Sequence, residues 1–354
     1  MKFLVISLAG NGDTLFATPL IHELRIAFPE AQIDAFVLRR AARELLERNP
    51  HLNRIHQHNL LTAGRVESLR FLMRLRRERY DVSFNTHPQS RIHYRFVARL
   101  IGARQRLSHR YDHSGWLDTL LINRSVAQNY ERHAIDNNLD LMGLIGVKPA
   151  LPRHEYELFL APADEQWAEE FLRRHQLSQR PRLGIHVGSG GTKNLALRRW
   201  PVDHYVALIE RLGKERPEIA VLLFGGPDEE KDHGAIMARA NPNQVFIAQS
   251  TNFLQTAALA GKCAAFLSVD TALMHVAAAR RVPRQFVIET PTWNKLIEPY
   301  QNPFTLIRNP SIGGRHLEYY RYDGKGIRGS AEELRRCMAS VSVESVYAAL
   351  REAL

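Results

Sequence analysis

Cysteine is nearly missing from this 354-residue chain: Cys263 and Cys337 are the only two. They stand far apart, which excludes a disulfide framework and a cysteine-built zinc site and implies a reducing, cytoplasmic compartment. Long apolar runs are missing too, since none approaches the ~20 residues needed to cross a bilayer. The first apolar run is too short for a secretory signal, and a glycine turn follows it. No signature recurs at a period of roughly 20–50 residues, so a solenoid is excluded. Two nucleotide-binding signatures are incomplete. In the loop Leu8–Thr14, Gly10 and Gly12 match the start of a dinucleotide fingerprint, but Leu15 holds its third glycine position. The second strand ends Val37-Leu38-Arg39-Arg40, without the acid that would hold a ribose. The Gly-Lys-Ser/Thr order of a P-loop is also lacking, so ATP hydrolysis is not indicated.

What is present is enough for two full cores, with 45% hydrophobic residues, ordinary for a globular protein. The net charge of +11 is uneven: residues 1–150 carry 22 Lys+Arg against 14 Asp+Glu, nearly all the cations being arginine. Such a surface attracts nucleic acid, anionic lipid or a phosphorylated acceptor, or is simply a solvated basic face. No base-reading motif accompanies it, which argues against nucleic acid.

The chain opens as strand, glycine turn and helix: Phe3–Ile6, the loop, then apolar residues at helical spacing from Leu15 to Phe28. Asp13 thus falls at the carboxyl edge of the first strand, where open α/β sheets bind ligands. It reads either as a helix cap beside turn-forming glycines, or as a catalytic carboxylate facing an interdomain cleft. Strands and helices then alternate. Arg91, Arg95 and Arg99 recur at i, i+4, i+8 and predict a basic stripe on a helix over 90–101. The segment 104–129 reads as a polar, irregular loop whose His109, Arg110, Tyr111 and His113 suit an anionic sugar. His109 and His113 have no acidic or cysteine neighbour, so a metal site is not expected there. Prolines at 149 and 152 mark a linker. The expected domains are 1–150 and 151–330, with a final helix over 331–354.

Four loops of the second series fall at strand ends. Gly188, Ser189 and Gly190, in a run reaching Lys193, either let amides approach an anion or form a surface turn. Arg198 and Arg199 are either surface charge or a bidentate clamp for a diphosphate. Gly225 ends a strand where a nucleotide could lie. Asp270-Thr271-Ala272 passes directly into an alanine-rich helix holding His275, a helix start suited to phosphate. Thr271 can cap that helix, and His275 is by default a core imidazole. Asp270 is costly at the end of a buried strand unless paired.

Together, Gly10-x-Gly12-Asp13, Thr18-Pro19, Arg25-x-x-Phe28-Pro29, Gly184-Ile185-His186, Arg199-Trp200-Pro201, Phe224-Gly225-Gly226 and Ser268-Val269-Asp270-Thr271-x-Leu273-x-His275 resemble the ADP-heptose:lipopolysaccharide heptosyltransferases. These are inverting glycosyltransferases of the GT-B fold. The resemblance spans nearly the whole chain. It implies an α/β architecture of two Rossmann-like doubly wound domains facing a central cleft, the C-terminal helix packing back on the first. It implies heptose transfer from ADP-L-glycero-D-manno-heptose to a lipopolysaccharide core acceptor, without metal or cofactor, the ADP-sugar being substrate. Asp13 would be the catalytic base. Gly188, Ser189, Gly190, Arg198, Arg199, Gly225, Asp270, Thr271, Ala272 and His275 would bind the donor, and Gly12, Arg91, His109 and Arg110 the acceptor. The implied place is the cytoplasmic face of the inner membrane, held peripherally by electrostatics. Three departures stand out: Ala272 replaces a glycine, Arg198 replaces a lysine, and Glu289-Thr290-Pro291-Thr292 departs from the usual aromatic-Gly-Pro-Thr segment. Another donor sugar or acceptor, a nucleotide-sugar epimerase, a catalytically lapsed sugar binder and a basic nucleic-acid-binding protein are the alternatives.

Overall fold

The structure, a computed structural model, describes residues 1–189, 195–313 and 330–352. Two compact units divide the chain. The first comprises Met1–Phe159 with Lys295–Glu298. Its elements are β1 (Lys2–Ser7), α1 (Asn11–Leu15), α2 (Thr18–Ala27), β2 (Gln32–Val37), α3 (Arg40–Leu46), β3 (Arg54–Gln57), α4 (Arg65–Arg77), β4 (Val82–Asn85), α5 (Ile92–Ile101), β5 (Gln105–Arg110), α6 (Trp116–Leu121), β6 (Arg124–Ala127) and α7 (Ala134–Asp140). All six strands are parallel, in the order β3-β2-β1-β4-β5-β6. Strand order reverses between β1 and β4, and that switch point is where such sheets bind ligands. Right-handed crossovers put α4, α5 and α6 on one face of the sheet. There Phe71, Leu72, Leu75, Tyr94, Ala98 and Ile101 close over Leu4, Ile6 and Phe36.

The opening helix differs from the single run expected over 15–28. A five-residue α1 ends at Phe16, and α2 starts afresh at Thr18 with Pro19 in its first turn. The segment 104–129 is not an irregular loop but β5, α6 and β6, which complete the sheet. The basic stripe on α5 is also corrected. Arg95 is only 1% exposed; it donates to the carbonyls of Gln89 and His109 (2.9 Å for the latter) and to Asp118 at 3.2 Å. Its guanidinium lies over the Tyr111 ring, pinning α5 to β5 and α6. The domain boundary falls after Phe159 rather than at 150. The reason is Glu23 of α2, fully buried, which accepts the amides of Ala150 (2.7 Å) and Leu151 (2.8 Å) and pairs with His154 (2.7 Å). Burial pushes that carboxyl up, but these donors outweigh it and hold it below its ordinary value. The proline-bearing stretch is therefore tied to the first unit.

The second unit, from Leu160 to Asn294 with 299–313 and 330–352, repeats the topology. It runs α8 (Pro162–Arg174), β7 (Arg182–His186), α9 (Val202–Glu215), β8 (Ala220–Phe224), α10 (Glu230–Met237), β9 (Val245–Ile247), α11 (Phe253–Ala260), β10 (Ala265–Ser268), α12 (Ala272–Ala279), β11 (Arg284–Ile288), β12 (Phe304–Ile307), α13 (Ala331–Ala339) and α14 (Val343–Arg351). The parallel order is β12-β11-β10-β7-β8-β9, with its switch point between β7 and β10. The C-terminal segment is two helices, not one, and it belongs to this unit rather than the first. Met338, Val341, Val346, Tyr347 and Leu350 join the core of β7, β8 and α9. Trp200 donates its indole N–H to Val341 O at 2.8 Å, and Tyr347 donates to Glu215 at 2.7 Å.

Replacing Arg95 with alanine strands Asp118 and two carbonyls, so urea denaturation should show a loss of about 3 kcal/mol or more. A loss below ~1 kcal/mol would return Arg95 to the exposed stripe. Acid should also destabilise the first unit. Burial holds His51 and His109 at about 4, and His87 well below its ordinary value. Between about pH 6.5 and 4 the unfolded chain takes up these protons while the folded unit does not, so stability rises with pH and is lost as pH falls. Each imidazole costs at most about 2 kcal/mol at pH 5. A melting temperature unchanged from about pH 7 to 4.5 would contradict this.

Candidate active site

At the switch point of the first unit, β1 leads through Leu8 and Ala9 into α1. Asp13 occupies the third position of that helix and accepts the Gly10 N–H on Oδ2 at 2.6 Å. Gly10, not Asp13, is therefore the N-cap; Asp13 turns back to it from inside the helix, and that bond orients a half-buried carboxylate at the strand's carboxyl edge. A Cβ on Gly10 would lie 2.8 Å from that oxygen, so a larger residue there would require the Asp13 side chain to shift. Beneath it, the β4–α5 loop is braced on β1: Thr86 donates to Ile6 O at 3.1 Å, and Gln89 donates to the same carbonyl.

Charges gather around Tyr94. Burial raises its phenol; Asp13 adds to the rise, while Arg91, Arg39 and Arg95 oppose it. Burial also raises the Tyr111 phenol; Arg95 opposes it, and Tyr130, Tyr94 and, least of all, Asp13 add to the rise. Asp13 is thus within electrostatic reach of both tyrosines, and Arg91 and Arg39 within reach of Tyr94. Tyr111 was among the residues read as suiting an anionic sugar; Arg39 and Tyr94 were not among the sequence candidates, though Arg39 sat visibly at the end of the second strand. Gly12 is buried within α1, and Arg110 is exposed at the end of β5. His109 is buried, its Nε2 bonding Asn137 O at 2.9 Å.

In the second unit, the switch point is bridged by His186 of β7, whose Nδ1 meets Thr271 Oγ1 at 3.1 Å. Thr271 caps α12, accepting the Met274 N–H at 3.4 Å. Ala272 opens that helix and is partly exposed. Burial brings His186 and His275 down to about 3, with Arg199 and Arg198 respectively adding to the effect, so both are neutral. Asp270 is buried and has the partner it requires: the Arg198 guanidinium, which also donates to Thr292 at 2.9 Å. Burial raises the Asp270 carboxyl against the pull of Arg198.

Neither arginine stands as a bare clamp. Arg199 bridges Glu229 (2.8 Å) and Asp232 (2.9 Å) and donates to Ser189 O at 3.1 Å. Glu229, which sequence reasoning missed, also accepts the Gly226 N–H at 2.9 Å. Its side chain fills the space beside two candidate glycines: a Cβ would approach it to 2.2 Å at Gly188 and 2.8 Å at Gly225. Gly190 and Lys193 lie outside the described residues.

Among the described residues, one set of possible metal ligands lies within mutual reach: His22, His51 and Glu157 of the first unit, also unforeseen. Glu157 bonds His22 and lies 3.6 Å from His51. The two rings stack at 4.0 Å with planes 10° apart. In-plane lone pairs on parallel rings do not converge on one ion, so the trio reads as a brace between α2 and the segment ending at Phe159.

The sequence profile of glycosyltransferase family 9 (heptosyltransferase) matches residues 68–316. Lipopolysaccharide heptosyltransferase 2 of Salmonella typhimurium is 30% identical over 79% of this chain and 80% of its own. Lipooligosaccharide heptosyltransferase 2 of Haemophilus influenzae is 26% identical over 92% of this chain and 93% of its own. Two solved structures share the fold. A family 9 glycosyl transferase from Veillonella parvula superposes with a TM-score of 0.77 at 19% identity, covering 99% and 96% of the two chains. The Escherichia coli ADP-heptose lps heptosyltransferase II gives 0.72 at 22%, covering 100% and 98%. The chain, built of two GT-B-type parallel α/β domains, belongs to glycosyltransferase family 9, the heptosyltransferases, and is a glycosyltransferase.

Proposed function

We propose that this enzyme transfers heptose from ADP-heptose to a lipopolysaccharide core acceptor, with inversion and without a metal. The observation that carries the reading is the family match over residues 68–316, joined by relatives named as lipopolysaccharide heptosyltransferases. In this reading the second unit takes the donor and the first unit takes the acceptor.

Asp13 removes the acceptor hydroxyl's proton as the new glycosidic bond forms, a contribution of ~10²–10⁴ in rate. Its capping bond to Gly10 holds the carboxylate in one rotamer, so little orientation is left to chance. Arg91 and Arg39, which like Asp13 lie within electrostatic reach of Tyr94, meet the anionic groups of the acceptor. Arg110 extends that basic rim, and Gly12 brings backbone close. On the donor side, the opening amides of α12 and the Thr271 hydroxyl meet the diphosphate as charge builds on it. Arg198 and Arg199 then supply positive charge already fixed in place by Asp270, Thr292, Glu229 and Asp232. Neutral His275 and His186 stiffen this edge without adding charge. A basic surface on the first unit draws the enzyme toward anionic lipid, where such an acceptor resides.

Asp13→Asn separates the cap from the base, since an amide oxygen still accepts the Gly10 N–H. Turnover should fall by about 10² or more, while melting temperature and ADP affinity hold. Near-normal turnover would leave Asp13 a cap alone. For the donor, ADP and ADP-sugars should raise the melting temperature where UDP does not, with stabilisation of ~2.7 kcal/mol at 100 times Kd. Thr271→Val should weaken ADP about tenfold while costing only ~1 kcal/mol of stability as a lost cap. Unchanged ADP affinity in that variant would move the diphosphate elsewhere.

A further inference from the structure

The outer surface of a helix layer over a sheet is normally polar, because the apolar stripe faces inward. The layer α4–α5–α6 breaks that rule on all three helices. On α4, Phe71, Leu72 and Leu75 face the sheet, yet Val66 and Leu69 stand exposed on the opposite side. On α5, Tyr94, Ala98 and Ile101 face inward, while Phe96 and Leu100 point out, one turn apart. On α6, Trp116 is 78% exposed and Leu120, also one turn on, 64%. α5 packs between α4 and α6, so the three outward stripes lie side by side. Among the described residues, Ile247 is the sole exposed large apolar side chain of the second unit. An apolar face of this breadth marks an interaction site.

Its charge says what it meets. Arg65, Arg70 and Arg77 of α4 and Arg99 of α5 are exposed, with no carboxylate at ion-pair distance among the described residues. Glu67 is the one exposed acid on these three helices. A second copy packed on this face by a two-fold axis would set the arginines against each other. A bilayer bearing anionic headgroups offers both complements at once: an apolar interior boundary for the aromatic and aliphatic tips, and negative charge for the surrounding guanidiniums. We infer that the outer face of α4–α6 inserts its apolar side chains into the surface of an anionic lipid bilayer. This goes beyond attraction by charge alone and does not depend on the transfer reading, because neither donor nor acceptor enters it.

The test is sedimentation of the full chain with vesicles of phosphatidylglycerol and phosphatidylcholine in equal parts, free of glycolipid. Attraction by charge alone disappears at about 0.5 M salt; insertion leaves a salt-resistant fraction. Trp116→Ser combined with Phe96→Ser should lower partitioning at least about tenfold and abolish that fraction. Arg70→Gln with Arg77→Gln should weaken binding mainly at low salt. Brominated lipid should quench fluorescence in the wild type, and Trp116→Ser should remove the quenching. Unchanged melting curves and ADP affinity confirm that the variants are folded. No vesicle binding overturns the inference. So does binding that vanishes with salt and ignores the Trp116/Phe96 pair, or a dimer in light scattering that this double variant dissolves.

Discussion

In a parallel sheet covered by helices on both faces, the interior has no place for an unpaired polar group, and all strands surrender their polar loops at one edge. Reversal of strand order then parts two neighbouring crossovers to opposite faces and opens that edge at a single point. Both units obey this constraint at equivalent positions, after β1 and β4 in one and after β7 and β10 in the other. What lines each point is polar and cross-braced. In the first unit Gln89 and Thr86 hold the Ile6 carbonyl, and Asp13 holds Gly10. In the second, His186 meets Thr271, and Arg198 joins Asp270 to Thr292. The polar groups at each switch point are thereby fixed by the chain's own hydrogen bonds.

The two doubly wound halves were legible because β1, β2, β8 and β10 are short apolar runs between helices of regular period. Where those signals thin out, the reading failed for identifiable reasons. β5 reads Gln105-Arg106-Leu107-Ser108-His109-Arg110, with one large apolar residue, so no apolar run marks it; it is held by the sheet ladder and by His109, whose carbonyl accepts from Arg95 and whose Nε2 bonds Asn137 O. Arg95 follows the same i, i+4 spacing as Arg91 and Arg99, and spacing cannot tell a guanidinium facing solvent from one closing over Gln89 and His109. The C-terminal segment was read as helical, but nothing local shows that Trp200 and the core of the second unit receive it. The roles of Glu229 and Glu23 arise from partners distant in sequence, which no local pattern records.

Arg198 and Arg199 show how much a pairing pattern changes a reading made from sequence. Read singly, Arg198 and Arg199 look like mobile cations waiting for a diphosphate. In the fold each already balances carboxylates, and Arg198 with Asp270 is buried deeply enough that removing either leaves a costly lone charge. Each is then a charge-compensated group fixed at the strand edge rather than a mobile cation. Replacement of the resembling family's lysine by Arg198 fits this arrangement, since one guanidinium reaches Asp270 and Thr292 together.

Glycines in strand-end loops are usually taken as room for a phosphate. Here the same glycines first make room for a carboxylate of the chain itself. Asp13 stands at the third position of its helix and turns back to the Gly10 amide; Glu229 stands at the third position of its turn and turns back to the Gly226 amide. Each would collide with a Cβ, at Gly10 in one case and at Gly188 and Gly225 in the other. Glu229 also bonds Arg199, and Asp13 lies within electrostatic reach of Tyr94. At both strand edges the glycine-rich turn is thus shaped first around an anion of the chain itself, which fixes where each carboxylate stands.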